Sequence, residues 1–102
     1  MTHLTSEEVK EKINNKESFV LDLFATWCGP CRVLMSNLNN LENNHELPMP
    51  IYALDIDNDR DFTMELGVRS VPTLKVYKEG SEVFSKVGVQ SQTQLLDMMS
   101  NY

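Results

Sequence analysis

Two cysteines, Cys28 and Cys31, enclose Gly29 and Pro30 in the stretch Asp22-Leu-Phe-Ala-Thr-Trp-Cys-Gly-Pro-Cys31, between an apolar run and a helical pattern. This spacing brings two sulfurs within bonding distance when the second cysteine lies on the first turn of a helix. The chemistry open to such a pair is reversible dithiol–disulfide exchange. Pro30 has no backbone N–H, and its fixed φ suits a first helical turn, where that donor would be unpaired anyway. Gly29 permits the tight turn into the helix. Cys28 then sits at the helix N-terminus, where unpaired N–H groups and the helix dipole favour negative charge and so a nucleophilic thiolate. Cys31, Leu34, Leu38 and Leu41 recur at helical spacing and form a stripe that faces a core, so Cys31 points inward. Cys28 precedes the first full turn and is the one expected to be exposed. The expectation is an outer attacking thiol and an inner resolving thiol.

The element that delivers this loop is a strand over Ser18 to Ala25, with Phe19, Leu21 and Leu23 on one face and Val20, Asp22 and Phe24 on the other. Both faces are apolar, which places the strand centrally with helices on both sides. Asp22 is the exception. A carboxylate in an apolar sheet is costly when ionised, so burial raises its pKa. Six residues before Cys28, it reads as a proton acceptor and donor for the inner thiol. The alternative is an aspartate at a wet strand edge, or one held by local hydrogen bonds.

The rest of the 102-residue chain frames this strand. Thr5 and Glu8 fit a capping box for a helix to about Asn15, with Val9 and Ile13 on one face. The cysteine helix runs from Pro30 to about Asn44. Ile51–Ile56 is a strand. Asn58 or Asp59 caps a short helix with Phe62 and Leu66 that Gly67 ends. Thr73–Tyr77 and Glu82–Val87 form a hairpin about Lys78-Glu-Gly-Ser81. Ser91 and Gln94 cap a last helix bearing Leu95, Met98 and Met99. Strand–helix alternation followed by a hairpin and a helix predicts an α/β fold, a mixed sheet with helices on both faces. The length suits one domain over residues 1–102, with one core.

Composition narrows the function classes. A formal net charge of −6 argues against nucleic acid or an anionic membrane as partner. The first eighteen residues contain no apolar run resembling a signal peptide, and no apolar segment is long enough to span a membrane, so a reducing cytoplasm is expected. There a cysteine pair is catalytic or metal-binding more often than structural, and so short a loop would restrain the unfolded chain little. A zinc site would need about four ligands, and beyond the two cysteines only His3 and His45 are available, in polar contexts without paired spacing. No bound metal is expected. The six methionines read as core filler.

Trp27-Cys-Gly-Pro-Cys31, with Asp22 upstream and Val71-Pro-Thr73, Lys78-Glu-Gly80 and Gly88 downstream, resembles the thioredoxin family over nearly the whole chain. The resemblance implies the thioredoxin fold and a protein-disulfide reductase without a bound cofactor. Cys28 would attack a client disulfide and Cys31 would release the client with help from Asp22. Thioredoxin reductase, drawing on NADPH, would restore the dithiol. It further implies a cis Pro72 beside the cysteines, and client contacts through Trp27, Gly29, Pro30, Val71, Pro72 and Gly88. The partners implied are thioredoxin reductase and disulfide-bearing client proteins, met by a monomer. Three departures stand out: Ala53 where the family often has Lys, Ser36 in place of a kinking proline, and Phe24 in place of Trp. Without the lysine, Asp22 lacks a cation that would lower its pKa. Within the same resemblance, an oxidase or isomerase would use other residues between the cysteines. A binding or assembly subunit would have no need of an intact Cys28, Cys31 and Asp22.

Overall fold

The computed structural model describes all 102 residues. In chain order the elements are β1 (Thr2–His3), α1 (Ser6–Asn14), β2 (Phe19–Phe24), α2 (Gly29–Asn44), β3 (Ile51–Asp55), α3 (Arg60–Glu65), β4 (Thr73–Lys78), β5 (Ser81–Val87) and α4 (Gln92–Ser100). The sheet order is β1-β3-β2-β4-β5. β3 runs parallel to both β1 and β2, whereas β4 is antiparallel to β2 and β5, so the sheet is mixed as expected.

All six residues of β2 are buried, which is what two apolar faces demand of a central strand. On one face Val20 joins Ile51, Leu74 and Val76 against Leu34, Leu38 and Leu41 of α2 and Leu95, Met98 and Met99 of α4. On the other, Phe19, Leu21, Leu23 and Leu54 meet Val9 of α1 and Phe62 of α3. Each fully buried side chain of this size contributes about 1.5–3 kcal/mol. The two faces therefore fix the register of β2, because a one-residue slip would exchange them.

Local signals set the helix starts. Thr5 and Glu8 form a reciprocal capping box on α1, and Ser91 and Gln94 do the same on α4. Asp59, of the two candidates, caps α3. At the hairpin, Glu79 (φ 52°) and Gly80 (φ 83°) both take left-handed backbone, as a two-residue turn requires. A Cβ on Gly80 would lie 2.6 Å from the Ile13 carbonyl oxygen, and the Gly80 N–H donates to the Glu17 carbonyl at 3.0 Å. The turn is thus latched to the end of α1. β1 was not expected. It is two exposed polar residues, made a strand only by pairing Thr2 with Tyr52 and His3 with Ala53.

Candidate active site

Cys28 is the N-cap residue of α2, with extended backbone, and Pro30 lies in the first turn. The Cys31 N–H donates to Cys28 Sγ at 3.2 Å, so one of the orphan donors of the helix start is aimed at the first sulfur. The two cysteines form a disulfide with Cα atoms 5.3 Å apart. They share a small cluster with Phe24, Ala25 and Ala53, against which Met1, Met35, Ile56 and Val71 also pack.

Both cysteines are buried in this oxidised state, Cys28 at 5% exposure and Cys31 at 2%. The expected exposure of Cys28 is not observed. The bond to Cys31 turns its sulfur onto the cluster, and its N–H is tied to the Ala25 carbonyl at 3.2 Å. The exposed part of the loop is Thr26 and Trp27, the latter at 68%, together with Gly29 and Pro30. Trp27 is held by its indole N–H, which donates to Asp57 Oδ2 at 3.0 Å. Arg60 Nη2 lies 3.8 Å from the other oxygen of that carboxylate. The Arg32 guanidinium donates to the Thr26 carbonyl at 3.1 Å and braces the loop from the helix side.

The segment after α3 closes the site. The Val71–Pro72 bond is cis, Pro72 is buried, and Val71 packs against the cysteine cluster. Gly88 (φ 101°) adopts backbone that favours glycine, and its N–H donates to the Pro72 carbonyl at 2.9 Å. The chain after β5 is thereby tied to the proline beside the disulfide.

Asp22 is fully buried, and neither carboxylate oxygen has a hydrogen-bond partner. Neither a wet strand edge nor local hydrogen bonds describe it. Its cross-strand neighbours are Ala53 and Leu74, both apolar. It shares a face of β2 with Val20, which packs under Leu34 and Leu38, and with Phe24, which packs with Cys31. Burial, unopposed by any cation, pushes its carboxyl from the ordinary 3.8 to about 7. The arrangement holds a sulfur–sulfur bond at a helix start, a platform of exposed indole beside it, and a proton site behind it that titrates near neutrality.

The description that fits these residues is borne by the whole chain: the family model named Thioredoxin matches residues 1–101. The chain belongs to the thioredoxin family. It is similar to the thioredoxin of Pyropia yezoensis, 29% identical over 93 residues that cover 91% of this chain and 87% of that protein. Among solved structures it resembles oxidised mitochondrial thioredoxin 3 from Saccharomyces cerevisiae, with TM-score 0.83 and 27% identity, covering 100% of this chain and 95% of that one. Chloroplastic thioredoxin z shares the fold, with TM-score 0.86 at 20% identity over 99% of this chain and 92% of that one. The fold is the thioredoxin fold, and the protein is a thiol–disulfide oxidoreductase that reduces protein disulfides through Cys28–Cys31 without a prosthetic group. Disulfide-bearing proteins and a thioredoxin reductase are the general kinds of partner of this family.

His3, on β1, meets the Phe24 ring edge-on with centroids 5.2 Å apart, and His45 caps the end of α2. No group of three or more His, Cys, Asp or Glu side chains is arranged to hold a metal. Sequence reasoning missed Asp57 as the anchor of Trp27. It lies thirty positions on, in an acidic stretch with no pattern that singles it out. It also missed Met1 and Met35 at the cysteine cluster, where their apolar character alone gave no address.

Proposed function

We propose that Cys28, as thiolate, attacks one sulfur of a client disulfide and expels the other as the client's first thiolate. Cys31 then attacks Cys28 Sγ, releasing the client's second thiolate and forming the Cys28–Cys31 disulfide. Two electrons pass to the client, and the two client thiolates take up protons. The observation that carries this assignment is the Cys31 N–H donated to Cys28 Sγ at the start of α2. It favours negative charge on the first sulfur, and so the thiolate that attacks. Asp22 accepts the Cys31 proton, directly or through water, for which a carboxyl titrating at about 7 is matched to neutral pH. Trp27, Gly29 and Pro30 on one side, and Val71, Pro72 and Gly88 on the other, form the client's seat.

In this reading the chain acts as one domain over residues 1–102 and as a monomer in the cytoplasm. It passes electrons from NADPH, through thioredoxin reductase, to its clients. No helix is long and apolar enough to cross a membrane. The test is trapping. Cys31→Ser is expected to accumulate client proteins as mixed disulfides on Cys28, while Cys28→Ser captures none. Capture through Cys31 alone contradicts the assignment. A reduction potential near those of strong disulfide oxidants contradicts the reductase direction.

A further inference from the structure

Six large apolar side chains stand in solvent: Trp27, Val33, Met64, Val83, Val87 and Val89. Scattered singly they would need no explanation, but all except Val83 lie on segments joined to the disulfide. Trp27 precedes Cys28, Val33 follows Cys31 in α2, and Val87 and Val89 flank Gly88, whose N–H is bonded to the Pro72 carbonyl. Met64, at 74%, is the most exposed of all, and the client seat described above does not use it. A short chain of contacts sets its place. The Trp27 indole N–H donates to Asp57 Oδ2 at 3.0 Å, and Arg60 Nη2 lies 3.8 Å from the other oxygen of that carboxylate. Arg60 opens α3 and Met64 follows it by four residues, so the two share one face of the helix with Cβ atoms about 5–6 Å apart. The inward face of α3 carries Phe62 and Thr63, both buried, and Thr63 Oγ1 donates to the Asp59 carbonyl at 2.9 Å. Past Met64 the Gly67 N–H closes the helix on the Met64 carbonyl at 2.9 Å, and the chain runs on to Val71 at the cysteine cluster. α3 is thus tied to the site at both ends, to Trp27 through Asp57 and to the disulfide through Val71.

We propose that α3 extends the client seat, and that Met64 is a specificity-determining residue that takes an apolar side chain of a protein client beside the disulfide being reduced. The inference rests on the reading of Cys28 as the sulfur that attacks that disulfide. The occupant is a client segment because the surface is continuous: a chain held at Cys28 and lying on Trp27 runs on past Asp57 and Arg60 to Met64. Methionine suits the role. It is unbranched, has three rotatable bonds and carries a polarizable sulfur, so it moulds to apolar groups of different shape. That adaptability serves a protein that meets more than one client. The charges around it are mixed, Arg60 against Asp61 and Glu65, all exposed, so the apolar contact decides. A disulfide that offers no apolar side chain gains nothing from this contact, and the residue therefore separates clients from one another without touching the reacting sulfurs.

The probes are oxidised glutathione and a series of symmetrical peptide disulfides, in which one Leu is moved along an otherwise Gly and Ser chain on either side of the cysteine. At one Leu position or more, kcat/KM of the wild type is expected to rise about fivefold, through KM, with Met64→Ser losing that gain and Met64→Leu keeping it. Glu65→Gln, an exposed neighbour, is expected to stay within twofold of wild type on every peptide. Oxidised glutathione has no apolar side chain to offer and is expected to be reduced equally by all four proteins. Thermal unfolding of Met64→Ser is expected to match wild type, since the side chain is mostly in solvent. No gain from Leu at any position, or a gain that Met64→Ser retains in full, overturns the proposal. An equal fall on oxidised glutathione overturns it too, because Met64 would then act on the chemistry and not on recognition. A concentration-dependent mass in sedimentation that Met64→Ser abolishes would assign this face to a second copy of the chain and overturn it as well. These outcomes leave the attack by Cys28 standing. Failure of the wild type to reduce oxidised glutathione at all would bring down that attack, and this extension with it.

Discussion

Two charged side chains are buried in the central strands, on opposite faces of the sheet, and they are treated in opposite ways. Lys75, on β4 at 4% exposure, points its ammonium to the Glu82 carboxylate and to Ser85 Oγ, the latter at 3.3 Å. Its partners come from β5, the strand next door, so the charge is answered where it is buried. Asp22, on β2, has no partner at all and faces Ala53 and Leu74. A buried charge with partners is a structural element. A buried acid without them holds its proton up to about pH 7, which makes it useful to a neighbouring thiol and costly to the fold.

The comparison is broken most forcefully at Asp22. Asp22→Asn removes the ionisation and keeps the shape. Client release by Cys31 at pH 7 is expected to slow by about 10²-fold, the lower end for loss of a positioned acid–base group. The check is single-turnover decay of the Cys28 mixed disulfide.

The same residue sets the pH dependence of stability. A carboxyl whose folded pKa is raised binds its proton more tightly folded than unfolded, so folding is favoured at low pH. That advantage is lost as pH rises from the ordinary 3.8 to about 7. Over that window this residue removes about 4 kcal/mol from stability, at ~1.4 kcal/mol per pKa unit. Denaturant unfolding of the oxidised protein at pH 5 and pH 8 is expected to show the fall. Asp22→Asn is expected to abolish it, and to be more stable than the wild type at pH 8 by roughly 4 kcal/mol.

Ala53→Lys makes the two sites alike. It sets an ammonium in register with Asp22 across the β2–β3 pair. An opposite charge at that range is expected to lower the Asp22 pKa by about 1–3 units. A carboxyl that still titrates at about 7 in this variant contradicts the view that the missing cation matters.

The smaller effect lies at the answered charge. Lys75→Met leaves Glu82, which is 42% exposed, free to turn to water, so the loss is expected to be about 1 kcal/mol. Client reduction should stay within twofold of wild type. A large loss of turnover there would show that the contrast between the two sites has been drawn in the wrong place.

Much of this contrast was legible in the sequence. Phe19 to Phe24 alternate between two apolar sets, which marks a central strand and makes Asp22 conspicuous as the one residue that does not belong. The capping pairs Thr5–Glu8 and Ser91–Gln94 are local, three residues apart, and the structure places both as read. The features that escaped are those decided by distant segments. Thr2 and His3 carry no periodicity and are a strand only because β3 offers its backbone. Lys75 finds its partners Glu82 and Ser85 only when β5 returns beside β4 after the hairpin. Cys28 was expected in solvent, and it is sealed because its sulfur is bonded to Cys31. Gln90 sits among polar residues before a helix cap, and nothing in that context announces an unsatisfied amide.

The central claim is that Asp22 is buried without a partner and so stores a proton near neutrality. It is tested most directly by following the Asp22 side-chain carboxyl carbon in ¹³C NMR while the oxidised protein is titrated. A midpoint at about 7 is predicted. A midpoint near the ordinary 3.8 would mean that water or a cation reaches the carboxylate, and would contradict the account.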